Sequence, residues 1–204
     1  MGLRIVVFYG SVRTVRTARQ GIKAARFIVN QCRKRGHDVD LIDPREYPLP
    51  LVDKMCKEYE PEAVPAVLQR LAAIIKSADA YIIVSGEYNH TIPPALSNLL
   101  DYFLEDYFRK PSAIVCYSGG AFGGVRAAMT LRVMLAELGM SSIPSLFPVP
   151  RVQSAFDDEG RPFDDAWYAR AEKFFAELEW YGNAMKWARD KSCERSDCDT
   201  LNIQ

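Results

Sequence analysis

Residues 80–101 read AYIIVSGEYNHTIPPALSNLLD, and they indicate a strand, a loop and a helix in succession. Its first five residues, Ala80 to Val84, are all apolar, which is typical of a strand buried on both faces of a parallel sheet. A polar loop follows, and Pro93 or Pro94 then begins a helix, because a missing N–H costs nothing in the first turn. Open α/β sheets bind their ligands at such loops, which connect the carboxyl end of a buried strand to a helix.

The same order of strand, loop and helix recurs along the chain. Apolar runs predict strands at residues 3–9, 38–43, 80–84, 112–117 and 143–149. Helical periodicity predicts helices at residues 16–35, 66–77, 93–108, 126–138 and 166–189. The alternation predicts an α/β fold with a five-stranded parallel sheet and helices on both faces. The doubly wound, flavodoxin-like strand order 2-1-3-4-5 fits best, with a ligand crevice between the first and third strands.

Composition limits the classes of partner. The 204 residues include 26 Lys and Arg and 26 Asp and Glu, and this balance gives no reason to expect nucleic acid or an anionic membrane. The apolar runs are far shorter than the ~20 residues of a membrane span. The five scattered cysteines and the absence of a signal-peptide pattern favour the cytoplasm, and we expect no metal. We predict one domain over residues 1–191 and a disordered tail at 192–204.

The first predicted loop, Gly10 to Thr17, reads GSVRTVRT and precedes the first helix. A helix N-terminus presents free N–H groups that suit a phosphate. Ser11 and Thr17 can donate hydroxyl hydrogen bonds, and Arg13 and Arg16 can neutralise the dianion. The loop matches neither the GxxxxGK[ST] phosphate pattern nor the GxGxxG dinucleotide pattern. A solvated turn with an ordinary cap is the alternative to a phosphate site.

The loop after the fourth predicted strand is rich in glycine. Residues 118–124 read SGGAFGG, with four glycines where a tight turn needs only one. Glycine lets the backbone approach a flat ligand closely. We therefore predict ligand contacts at Ser118, Gly119 and Gly120, and a plain turn is the alternative.

Three motifs together resemble one family. Residues 87–101 follow the pattern EYN-x3-P-x2-L-x-N-x2-D, and they accompany the GSVR and SGGAFGG loops. The chain therefore resembles the NAD(P)H-dependent FMN reductases, which include quinone, azo and chromate reductases. The likeness covers roughly residues 3 to 150, and Ser97 departs from the Lys that many relatives carry. The resemblance implies an FMN cofactor. Its phosphate would contact Ser11, Arg13, Arg16 and Thr17. Its ring would lie between Glu87, Tyr88 and Asn89 on one side and Ser118, Gly119 and Gly120 at the opposite edge.

The resemblance also implies an activity. Hydride would pass from NADPH or NADH through FMN to a quinone, flavin or similar small-molecule acceptor, with ping-pong kinetics and with no side chain acting as catalytic acid or base. Two alternatives stay open: a flavodoxin-like electron carrier, and a redox-sensing interaction protein. His90, in the second loop, which follows the third predicted strand, is either a proton donor or a surface residue. His37 is expected to be exposed in a turn.

The family also suggests a homodimer or homotetramer. An excess of aromatic residues near the end of the third predicted helix points the same way, because exposed aromatic clusters mark interfaces. A thick local core is the alternative. The four residues are Tyr102, Phe103, Tyr107 and Phe108.

Overall fold

The fold is an open sheet of five parallel strands. A computed structural model describes residues 2–15 and 19–194, and only the backbone of residues 193 and 194. The strand order is β2-β1-β3-β4-β5, which confirms the predicted flavodoxin-like topology. The strands are β1 (Arg4–Tyr9), β2 (Asp38–Ile42), β3 (Ala80–Gly86), β4 (Lys110–Tyr117) and β5 (Met140–Val149).

Helices cover both faces of the sheet. They are α1 (Gly21–Lys34), α2 (Ala66–Ser77), α3 (Pro94–Asp101), α4 (Val125–Glu137) and α5 (Ala166–Glu194). The side chains of Ile5, Val7 and Tyr9 pack with α1 and α5, whereas those of Val6 and Phe8 pack with α2, α3 and α4. This alternation follows from the two-residue period of a strand, and it buries residues 5–9 of β1, whereas Arg4 is exposed.

The third helix is shorter than predicted, and the aromatic residues beyond it are mostly in the core. It ends at Asp101, and a 3-10 turn, Glu105–Tyr107, follows. Tyr102, Phe103 and Tyr107 are at most 2% exposed, and the Tyr107 ring lies 5.5 Å from that of Tyr81. Only Phe108, at 40%, reaches the surface. The inference of an interface from these aromatics was wrong, because breaking the helix turns three of them inward. The homodimer or homotetramer stays a prediction from the resemblance.

The first helix begins later than predicted. Arg19 and Gln20, which the predicted helix includes, precede α1 at Gly21. His37 is also placed differently from the prediction, because it is buried. Its Nδ1 accepts the backbone N–H of Leu3 at 3.1 Å, and its Nε2 lies 3.0 Å from a carboxylate oxygen of Glu179 on α5.

The edge strand β5 is covered by side chains from neighbouring helices. Arg132 donates to the carbonyl of Pro144, Arg170 donates to the carbonyl of Pro148, and the N–H of Ser145 donates to a carboxylate. That carboxylate is Glu177 on α5. These three backbone groups are therefore already hydrogen-bonded and are not available to a further strand.

Within residues 2–15 and 19–194, no helix combines the length and the apolar character that crossing a membrane requires.

Candidate functional site

The carboxyl ends of β1, β3 and β4 lie side by side, and the loops that follow them surround one cleft of about 460 Å³. This volume is within the range of small-molecule sites. The cleft adjoins the switch point between β1 and β3, where chain order reverses in the sheet. Its lining residues are Arg13, Gln20, Glu87, Tyr88, Asn89, Tyr117, Ser118, Gly119, Val152 and Gln153.

The first loop contributes Arg13, supported by Ser11 beneath it. Ser11 is buried, and its hydroxyl lies 3.1 Å from the hydroxyl of Tyr88. The Arg13 guanidinium carbon is 4.7 Å from the centre of the Tyr88 ring. The cation is thus placed over an aromatic face at the edge of the cleft, where it can meet an anion. Arg16 and Thr17, the other two predicted phosphate ligands, lie outside the described residues.

The second loop is a two-residue hairpin that presents Tyr88. The N–H and carbonyl of Tyr88 exchange hydrogen bonds with Thr91 at 2.9 and 3.0 Å. Asn89 and His90 occupy the turn with φ of 51° and 64°, a left-handed conformation that Asn and His tolerate better than most residues. Both are exposed, so His90 lies at the surface of the loop.

Glu87 directs its carboxylate away from the hairpin and toward the start of α4. One carboxylate oxygen accepts the backbone N–H of Arg126 at 3.1 Å and that of Ala127 at 3.4 Å, and the other faces the Arg126 guanidinium at 3.4 Å. Because α4 is preceded by Gly124, which has no side chain, Glu87 acts as the cap of this helix.

The third loop, residues 118–124 after β4, leaves open space above two of its glycines. A Cβ at Gly119 would come no closer than 3.9 Å to any described atom outside the neighbouring residues, and one at Gly120 would meet nothing within 4 Å. Ser118 holds the loop at β5 through its N–H, which donates to the carbonyl of Val149. Gly119 lines the cleft, and Gly120 follows it with its carbonyl bonded to the N–H of Arg151.

The floor of the cleft is aromatic. The ring of Tyr117 stacks with that of Tyr9, with centroids 6.4 Å apart. Burial raises the pKa of Tyr117 well above its usual value, so its hydroxyl stays protonated. The buried hydroxyl of Tyr9 forms no hydrogen bond of normal geometry with the described residues.

Several residues in and around the cleft were not predicted from the sequence. Val152 and Gln153 follow β5, and Gln153 donates to the carbonyl of Gly119 at 3.2 Å. Arg19 donates to the carbonyl of Ser11 at 3.3 Å and pairs with Asp43, directly after β2. Asp43 was accessible to prediction, because it follows a strand at the same sheet edge as the first loop. Gln153 was not, because it lies in a connection without a motif.

A parallel sheet with a polar, glycine-bearing cleft at its switch point defines an α/β protein of the flavodoxin-like, nucleotide-binding class. The family described as NADPH-dependent FMN reductase matches residues 3–154. The chain belongs to this family. The predicted family, its oxidoreductase class and FMN as its cofactor are confirmed at the level of the family.

Curated relatives agree with this assignment. The chain is 34% identical over 127 residues to the NADH:(hydroxy)cinnamate reductase subunit CrdA of Vibrio ruber, covering 59% of this chain and 63% of the relative. It is 33% identical over 135 residues to a quinone reductase of Pseudomonas putida, covering 60% of this chain and 70% of the relative. The alignment with the Vibrio relative therefore spans less than two thirds of that protein.

Solved structures share the fold at low identity. The flavoenzyme NAD(P)H:(acceptor) oxidoreductase FerB from Paracoccus denitrificans superimposes with a TM-score of 0.68 at 19% identity, over 90% of this chain and 97% of that one. RosB, solved with bound 8-demethyl-8-formylriboflavin-5'-phosphate, gives 0.64 at 13% identity, over 100% and 91% of the two chains.

Proposed function

We propose that this protein holds FMN in the cleft and reduces a quinone, a flavin or a similar small acceptor with NADPH or NADH. One observation carries the proposal: the three loops whose motifs define the family converge on a single cleft, with Arg13, Tyr88 and Gly119 each contributed by a different loop. FMN supplies the hydride transfer between nicotinamide and acceptor, so the protein needs to bind and orient rather than to provide an acid or base.

The residues present fit this cofactor. Arg13 supplies a cation for the phosphate, together with Ser11 and the predicted Arg16 and Thr17. The backbone around Glu87, Tyr88 and Asn89 would run along the ring, and Ser118, Gly119 and Gly120 would meet its other edge. The open space above Gly119 gives a flat ring room to approach the backbone. Both substrates would enter from the same open side in turn, which gives ping-pong kinetics.

The direct test is an absorbance spectrum of the purified protein after FMN is added and the excess is removed. We expect flavin bands that bleach when NADPH or NADH is injected anaerobically. Bound flavin that neither nucleotide bleaches would contradict the reductase and favour an electron carrier or a sensor.

The phosphate assignment is tested by Arg13→Ala. This variant should lose most of its FMN on gel filtration while its thermal unfolding is unchanged, because Arg13 is exposed and makes no core contact. A charge-assisted contact is worth about 1.5–3 kcal/mol, so the dissociation constant should rise roughly tenfold to a hundredfold. Arg33→Ala, an exposed arginine at the far end of α1, is the matched control. Normal flavin content in Arg13→Ala would refute the assignment.

A further inference from the structure

A stacked aromatic–cation pair stands beside the cleft, at the end of the third loop. Phe122 is 64% exposed, and the Arg126 guanidinium carbon lies 4.4 Å from the centre of its ring. Arg126 is the second residue of α4, and its side chain is 41% exposed. Among the aromatic side chains that the described residues leave more than 60% exposed, Phe122 belongs to the loop that lines the cleft.

Glu87 connects this pair to the cleft through its hydrogen bonds to Arg126. This residue lines the cleft and binds both the backbone N–H and the guanidinium of Arg126. Phe122 lies in the same seven-residue loop as Ser118 and Gly119, which also line the cleft. The backbone that shapes the cleft therefore also fixes the stacked pair next to its rim.

We infer that Phe122 and Arg126 form a subsite for the adenosine diphosphate half of NAD(P)H, an inference that rests on the proposed function. A reacting nicotinamide must enter the cleft, so the rest of the dinucleotide must extend over the rim. There, an exposed phenyl ring suits stacking by adenine, and a guanidinium with spare N–H donors suits the diphosphate.

An exposed cation stacked on an aromatic ring favours this side of the rim. Near Gln20, the cations of Arg19 and Lys23 are only 14% and 15% exposed, and they pair with Asp43 and Asp158. Arg126 keeps a larger part of its side chain in solvent, next to an aromatic surface. Its ion pair with Glu87 is 3.4 Å long and uses one guanidinium nitrogen, so its other N–H donors can contact a bound anion.

The experiment measures kcat/KM with two hydride donors and, separately, the affinity for an oxidised dinucleotide. Phe122→Ala and Arg126→Met should each lower kcat/KM for the preferred dinucleotide about tenfold, because base stacking and phosphate pairing are each worth that much. Neither change should alter kcat/KM for N-benzyl-1,4-dihydronicotinamide, because this donor lacks the adenosine diphosphate half. Calorimetry on the oxidised protein should show about tenfold weaker binding of the matching oxidised dinucleotide. FMN content should stay unchanged.

Val133→Ala is the matched control, because Val133 is 74% exposed on the same helix but two turns further from the cleft. Equal losses with both donors, or unchanged dinucleotide binding, would overturn the subsite. A changed molar mass in light scattering for Phe122→Ala would also overturn it, since the ring would then be a contact between subunits. A wild-type protein that oxidises neither donor would refute the proposed function, and the binding measurement would still report on the subsite.

Discussion

In the third loop, the fold requires glycine at position 124 but not at position 119. Gly124 has φ of 81°, and a Cβ there would lie 2.7 Å from the backbone nitrogen and oxygen of Tyr117. No other residue fits this position. Gly119 has no positive φ and has open space where a side chain would be. The chain itself therefore does not require glycine at position 119, whereas the proposed contact with the flavin ring does.

This distinction predicts the outcome of Gly119→Val. The variant should fold with normal thermal stability, because a valine meets no described atom closely. It should bind FMN at least about tenfold more weakly, because the side chain fills space needed by the ring. Flavin fluorescence titration measures the affinity, and Ala121→Val, an exposed position in the same loop, is the control. Full flavin binding by Gly119→Val would mean that the loop is only a turn.

Individual residues were predictable where a local motif defined their setting. The positions of Arg13, Tyr88 and Gly119 around one cleft could be predicted, because each follows the carboxyl end of a central strand. The orientation of Glu87 could not, because its partners are amides of α4, 39 and 40 residues away in sequence. The burial of His37 depends likewise on Glu179, far along the chain.

At the scale of elements, the start of α4 depends on a side chain from another element. The helix lacks a capping side chain of its own, and Glu87 accepts two of its first N–H groups. Glu87→Ala should lower the free energy of unfolding by about 1 kcal/mol, which is typical for the loss of a cap. Glu87→Gln, which keeps an acceptor oxygen, should lose less.

Urea unfolding measures both variants, and their FMN content separates a cap from a ligand. If Glu87 acts on flavin only through its backbone, both variants keep FMN. An unchanged free energy of unfolding in Glu87→Ala would contradict the capping role.

The start of β4 carries a buried lysine that joins it to the end of α2. The Lys110 ammonium lies 2.8 to 3.1 Å from the carbonyl oxygens of Ile75, Lys76 and Asp106 and 3.1 Å from the Tyr81 hydroxyl, and its three N–H donors are shared among these oxygens. Burial lowers the pKa of Lys110 to about 8, with Arg189 adding to the effect. An unfolded lysine keeps its proton up to a pKa of about 10.4.

This lowered pKa gives a pH dependence of known sign. Between about pH 8 and 10 the unfolded chain binds more protons at Lys110 than the folded chain, so this residue makes stability rise with pH. Lys110→Met lacks the titration. The free energy of unfolding of wild type minus that of the variant should therefore increase across this window, measured by urea unfolding at several pH values. A flat or falling difference would show that the buried amine keeps its proton.

The elements were predicted better than their ends. The strand order followed from the alternation of apolar runs and helical periodicity, which is a property of the whole pattern. Helix α2 has the predicted bounds, Ala66–Ser77. The end of α3 differed because Tyr102, Phe103 and Tyr107 find partners in the core, and that tertiary packing overrides a continuous helical pattern.

For the whole molecule, one acidic residue joins the beginning of the chain to its last helix. Asp79, directly before β3, accepts the backbone N–H of Arg4 at 3.0 Å. Its carboxylate also meets Lys186 at 2.7 Å and Arg189 at 3.3 Å, both on α5. The carboxylate is 11% exposed, so these partners replace most of its hydration.

Asp79→Ala should lower the free energy of unfolding by about 2 kcal/mol, because it leaves two cations and one N–H without their acceptor. Asp190→Ala, an exposed acidic residue on the same helix, should change it by less than about 0.5 kcal/mol. Thermal and urea unfolding of both variants measure the difference. Equal effects would mean that the contacts of Asp79 do not help to hold α5 in place.

The covered edge of β5 bears on how this protein can associate. Two prolines remove N–H groups from the strand, and Arg132, Arg170 and Glu177 engage neighbouring carbonyl and amide groups. An incoming polypeptide therefore finds no free ladder to extend at these positions, which blocks the first step of cross-β polymerisation there. Copies of this chain that approach one another at this edge therefore meet charged side chains and not a continuous backbone ladder, so contact at β5 does not propagate as a growing sheet.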